Sequence, residues 1–189
     1  MLGILEKPKN DLQIHYKKSY AAFSISHRLD KFITDNMAIV CIGTDKCIVD
    51  SLGPLVGTML TKNNICVDVY GTLEKPVHAM NIAERVREIE RKNYETILAI
   101  DACLSNKLSQ GIIEVRERSI IPGKGIGKFL PEIGDISIIG VMDTSDKDFN
   151  DLIQDTRLSF VYEMAEVITA GILNAVNCRN NVFEEVAYD

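Results

Sequence analysis

Apolar and polar positions alternate in two distinct rhythms along this chain. Residues 1–18 are polar and mixed, with no sustained period, and read as a loosely held arm. In residues 19–36, Ala22, Phe23, Leu29 and Phe32 recur at helical spacing and predict an amphipathic helix laid against the body. From residue 38 the rhythm changes. AIVCIG (38–43) is a continuous apolar run closed by glycine, the signature of a strand buried on both faces. After the loop TDKCIVD (44–50), LGPLVGTMLTK (52–62) predicts a helix with Pro54 in its first turn, where a missing N–H is harmless. Gly53 and Gly57 share one face of it and let it lie close on a sheet.

Further strands are predicted at 65–71, 96–102, 111–115 and 136–142. Asn81 and Glu84 have the spacing of a capping pair opening a helix over 81–92, with Ile82, Val86 and Ile89 on one stripe. Residues 148–178 read as helical, in two segments. Strands alternating with helices at these intervals imply βαβ units, a mainly parallel sheet, right-handed crossovers and helices on both faces. With no internal repeat, linker or low-complexity stretch, the chain reads as an N-terminal arm and helix (1–37) packed on a single α/β domain (38–189).

Composition narrows the function classes. The chain has 189 residues, a net charge of −6 and no Trp. An acidic surface without an aromatic platform argues against nucleic-acid binding. Five cysteines, an odd number without a CxxC, argue against a zinc ribbon or disulfide scaffold and point to a reducing compartment. Charges interrupt both the N-terminus and the apolar C-terminal stretch, so neither a signal peptide nor a membrane span is predicted, and the expectation is a cytoplasmic protein.

Ligands of open α/β sheets bind outside the carboxyl ends of the strands. There the first buried strand leads to Gly43, Thr44, Asp45 and, seven positions after the glycine, Asp50; the third runs into Asp101; the last runs towards Asp143 and Thr144. If the first and third of these strands are neighbours, Asp50 and Asp101 share one edge. Two carboxyls in one cleft cannot both ionise easily, which makes one an acid and the other a base. Taken singly, each also fits a structural role, Asp50 as a helix cap and Asp101 as a strand-end carboxylate held by backbone N–H groups. PGKGIGK (122–128), with Gly123, Gly125 and Gly127, lacks the spacing of a phosphate-binding Walker loop and reads as a flexible loop lining the cleft. His78, after Pro76, either faces that cleft or serves only as a loop or cap contact. Cys103, two residues beyond Asp101, points the same way, so a Cys–His nucleophile is an alternative to its ordinary role as a small apolar residue.

GTDKCIVDSLGPLVGTML (43–60), VYGTLEKPVHAMN (69–81), ILAIDACLS (97–105) and PGKGIGKFLPEIGDIS (122–137) together resemble the germination (spore) protease group. Within that group they resemble the smaller sporulation proteins of the YyaC type, over most of residues 38–142. The first block also resembles, more distantly, the hydrogenase-maturation endopeptidases. The resemblance implies a phosphorylase/hydrolase-like three-layer α/β sandwich. It further implies an atypical aspartic endopeptidase of sporulation or germination, with Asp50 in VDSLGP and Asp101 in IDACL at the positions of the two essential aspartates. Thr44, Asp45, His78 and the three loop glycines would shape the cleft. No cofactor is expected. The expected partner is a protein substrate such as a small acid-soluble spore protein, in the mother cell or forespore of a spore-forming bacterium, with no nucleic acid and no membrane; a homo-oligomer stays open. Two alternatives accompany this reading. One is a maturation-type, metal-dependent endopeptidase using Asp50, Asp101 and His78, although no histidine follows His78 where that family's ligand lies. The other is a non-catalytic adaptor built on a peptidase scaffold.

Overall fold

A computed structural model describes residues 11–122, 131–144, 146, 151 and 155–186. The strands are β1 (Leu12–His15), β2 (Met37–Cys41), β3 (Asp68–Tyr70), β4 (Thr96–Leu104), β5 (Ile112–Arg116) and β6 (Ile136–Asp143). The helices are α1 (Ala21–Leu29), α2 (Leu52–Lys62), α3 (Ile82–Glu90) and α4 (Leu158–Val186), with short 3-10 turns at Asp30–Phe32 and Ile48–Asp50. All the strands join one sheet in the order β1-β5-β6-β4-β2-β3. The pairs β2/β3, β2/β4 and β4/β6 are parallel, whereas β5 runs antiparallel to both β6 and β1.

Helices cover both faces, giving three layers. On one face α1, α2 and α4 enclose the larger core, built on Ile39, Leu98, Ile100, Ile113, Val115, Ile136 and Ile138. On the other, α3 sets Ile82, Val86 and Ile89 against Val40, Ile42, Ala99 and Ile139. Burying each of these α3 side chains contributes about 1.5–3 kcal/mol, which anchors a helix whose remaining positions are polar.

The central strands are buried end to end, as their uninterrupted apolar runs require: β2 and β6 have no exposed residue. α2 occupies the predicted 52–62 and lies tight on the sheet. A Cβ at Gly53 would collide with the Ile42 backbone, and one at Gly57 with the Gly71 carbonyl.

The sequence reading needs correction at two places. Within the supposed loose arm, residues 12–15 form an edge strand that seats Ile14 in the core and pairs Leu12 with Val115. Four residues are too short for the alternation to declare itself. The predicted strand at 65–71 shortens to β3, with Ile65 and Val67 packing on the larger core from the preceding loop. The C-terminal region is helical in two parts, as the sequence predicts: Asp151 and Asp155 are helical, Thr156 and Arg157 break the helix, and α4 runs on from Leu158.

Candidate active site

The site lies at the carboxyl ends of β2 and β4. Cys41 is in register with Ile100, and the Ile42 N–H donates to the Ile100 carbonyl at 2.7 Å, so Asp101 follows immediately beside the end of β2. The first and third buried strands are therefore neighbours, the condition on which the shared edge depends. Beyond Ile42 the chain turns at Gly43, whose φ of +139° and whose closeness to the Asp50 carbonyl leave no room for a side chain. The Thr44 N–H returns to that same carbonyl at 2.9 Å. Asp50 is thus folded back onto the strand end it left, at the close of a 3-10 turn and just before α2.

A third segment completes the edge. Val77 bridges to Ile42, and its carbonyl accepts the Gly43 N–H at 2.8 Å. His78 follows directly. Asn81 does not form the predicted side-chain cap. Its Oδ1 accepts the His78 N–H at 2.8 Å and its Nδ2 donates to the Pro76 carbonyl at 3.0 Å, so it clamps the His78 loop. His78 Nδ1 accepts the Met80 N–H at 3.2 Å, which leaves the proton of the neutral ring on Nε2.

The electrostatics are asymmetric. Burial pushes the Asp50 carboxyl up to about 6, opposed by the Thr44 N–H and by the nearby His78. Burial and then the charge of Asp50 push Asp101 up to about 8, opposed by the Ala102 N–H, which donates to Asp101 Oδ1 at 2.9 Å. Both carboxyls are therefore held above the usual carboxylate range, Asp101 further than Asp50. Such a pair can accept a proton from water at one carboxyl and donate one from the other.

The remaining candidates fall into place differently. Thr44 is half-buried in the turn, with its Oγ1 accepting the Lys46 N–H at 3.3 Å, and Asp45 beside it is exposed. Gly123, Gly125 and Gly127 lie outside the described residues. Burial raises the Cys103 thiol to about 11, so it is not a thiolate nucleophile at neutral pH. Among the described residues no three His, Cys, Asp or Glu side chains converge in the arrangement of a metal site. Asp143 closes β6 as a buried carboxylate whose Oδ1 accepts the Thr144 N–H at 2.7 Å.

Sequence reading missed two features: the Asn81 clamp, hidden behind the capping pattern, and a buried acid in β5. The latter had a signal. In IIEVR, apolar Ile113 and Val115 alternate with polar Glu114 and Arg116, the mark of a strand with one polar face.

The profile of a family described as "Protein of unknown function (DUF1256)" matches residues 13–171, a span that reaches from β1 into α4 and includes every site residue named above. The chain belongs to that family. Among curated proteins it is similar to "Uncharacterized protein YyaC" of Bacillus subtilis (strain 168), with 38% identity over 150 residues, covering 78% of this chain and 73% of that one. As a member of the DUF1256 family, the chain carries both Asp50 and Asp101 inside the matched region. The family span also takes in the edge strand β1, which fits β1 being part of the sheet rather than an appendage.

Proposed function

We propose that this protein is an aspartate-dependent endopeptidase acting in the cytoplasm during sporulation or germination, with Asp50 and Asp101 as its acid–base pair. The observation that carries the reading is the electrostatic linkage of the two carboxyls: Asp50 is close enough to raise Asp101, and burial holds both above the usual carboxylate range. Structural carboxylates satisfied by backbone N–H groups have lowered values instead. Perturbation of this kind, at the carboxyl edge of a mainly parallel sheet, is what general acid–base chemistry requires.

In the proposed reaction Asp50, ionised, takes a proton from a water that attacks the scissile carbonyl carbon. Asp101, protonated, hydrogen-bonds the developing oxyanion and then gives its proton to the amide nitrogen as the C–N bond breaks. The proton taken by Asp50 passes back to restore Asp101, leaving one free carboxyl and one free amine. His78 stabilises the charge on Asp50, and the Thr44 N–H fixes its direction. The resemblance to germination proteases favours a protein substrate such as a small acid-soluble spore protein.

Incubating the purified chain with a spore-protein extract and sequencing new termini by mass spectrometry tests this reading. Discrete new termini that disappear in Asp101→Asn support it. Unchanged extract over a day at pH 7, with a folded protein, rejects it in favour of a binding role.

A further inference from the structure

At the amino ends of β2 and β3, the described residues line a cavity of about 200 Å³. The whole length of β2 separates it from the candidate active site. Three segments build it. Ile33, Thr34 and Asp35 come from the stretch that leads into β2, Cys66 and Val67 from the stretch that leads into β3, and Val176 and Arg179 from successive turns of α4. The walls are apolar: Ile33 and Val176 are buried, and Val67 packs on the larger core. Two polar groups stand among them. Arg179 is fixed by donating from Nη1 to the Ile33 carbonyl. Its Nε lies 3.7 Å from Asp35, beyond hydrogen-bond reach, and the Asp35 side chain is 81% exposed, so water screens that contact. Thr34 is the second: its Oγ1 is buried with no hydrogen-bond partner among the described residues. A buried hydroxyl left unpaired is destabilising, and a ligand acceptor removes that defect.

We propose that this cavity is a second ligand site, which takes a small apolar carboxylate. An apolar hollow with a few convergent polar groups is the usual form of a small-molecule site. A cavity of about 150 Å³ accommodates benzene, so this one accommodates a ring or branched chain of that size carrying one carboxylate. One carboxylate oxygen meets the Arg179 guanidinium in place of the exposed Asp35, and the planar fork with its permanent charge suits that contact. The other oxygen accepts the Thr34 hydroxyl. Ile33, Val67 and Val176 receive the hydrocarbon body. The set selects against two neighbouring chemistries: an ammonium ligand meets the like charge of the guanidinium, and inorganic phosphate leaves the apolar walls unfilled. Cys66 is exposed at the rim, so a seated ligand covers its thiol. The inference does not depend on the peptidase reading.

Thiol protection tests it on the whole chain. Sodium benzoate and sodium isovalerate are the probes, with benzamide as the uncharged control and sodium phosphate as the control without an apolar body. Each is titrated against alkylation by iodoacetamide, read by mass spectrometry at Cys66 and, in the same sample, at Cys178, which is exposed on α4 but does not line the cavity. At least one of the two carboxylates is expected to slow alkylation of Cys66 about fivefold or more at saturation and to leave Cys178 unchanged. Benzamide and phosphate are expected to protect neither. Arg179→Gln is expected to abolish the protection, with circular dichroism as the fold check. If that variant does not fold, Arg179→Lys, which keeps the charge without the planar fork, is expected to need about fivefold more ligand or worse. Thr34→Val removes the unpaired hydroxyl, so it is expected to be no less stable than the wild type and yet to need several-fold more ligand. Protection of Cys66 by neither carboxylate overturns the proposal. So does equal protection by benzamide or phosphate, and so does protection that the folded Arg179 variant or Thr34→Val keeps unweakened.

Discussion

The Ile42 N–H donates to the Ile100 carbonyl at 2.7 Å, one residue beyond the last β2/β4 register pair, Cys41 with Ile100. That bond holds the end of β2 against β4 where Asp101 begins to face the cleft. It brings the Asp50 turn, anchored on Gly43 and Thr44, to the same edge.

Replacing either aspartate by asparagine keeps the shape and removes the proton transfer. Loss of one general acid or base costs about 10²- to 10⁴-fold in rate. Initial rates on any cleaved peptide are expected to fall in that range for Asp50→Asn and for Asp101→Asn, with unchanged circular dichroism. Full activity in Asp101→Asn would sink the paired-carboxyl mechanism.

The pH profile follows from the two raised carboxyls. Activity requires Asp50 ionised and Asp101 protonated, so kcat/KM is expected to be bell-shaped, with limbs near pH 6 and pH 8. These limbs belong to the pair rather than to either residue. A profile that keeps rising from pH 6 to pH 10 is incompatible with Asp101 as the acid.

Stability should show the same group with the opposite benefit. Asp101 binds its proton up to about pH 8 when folded but only to about 3.8 in its ordinary state. Between those values the native state holds a proton that the unfolded chain releases. Its contribution is therefore complete below about pH 4 and is lost as pH rises through about 8. Asp101→Asn escapes this loss and is expected to gain stability over the wild type, on the order of a few kcal/mol, between pH 4 and pH 8.5. Urea unfolding at both pH values measures it; an equal difference at the two ends contradicts the raised carboxyl.

Gly53→Ala is expected to destabilise the fold by about 3 kcal/mol or more, because the new methyl meets the Ile42 backbone, which cannot move without disturbing the strand end. Thermal unfolding of this variant beside Thr61→Ala, which removes only a hydroxyl bonded within α2, shows whether the close approach matters.

Asn81→Ala removes two hydrogen bonds, one accepted from the His78 N–H and one donated to the Pro76 carbonyl, and is expected to cost about 1–2 kcal/mol. Released from its clamp, His78 should support Asp50 less well and the acid limb should move to higher pH. A stability loss with an unmoved acid limb would make Asn81 purely structural.

By itself the sequence determined the layers and their order of appearance. The runs at 38–43, 96–102 and 136–142 are apolar without alternation, and only burial on both faces satisfies such runs. Gly53 and Gly57 on one face of 52–62 announced the close approach of α2. It also singled out Asp50 and Asp101, because a carboxyl that interrupts a buried strand, or closes the turn after one, stands out against its apolar neighbours. The tertiary structure decided what depends on pairing between distant segments. β1 becomes a strand because β5 offers it a free edge. Asn81 clamps the His78 loop instead of capping α3 because the Ile42–Val77 bridge holds that loop within its reach. Glu114 can be buried because Gln13, 101 positions away, and Arg116 complete its hydrogen bonds. Local periodicity records which face of an element is dry, but the register across a sheet sets which side chains meet. That register is fixed by the whole core at once.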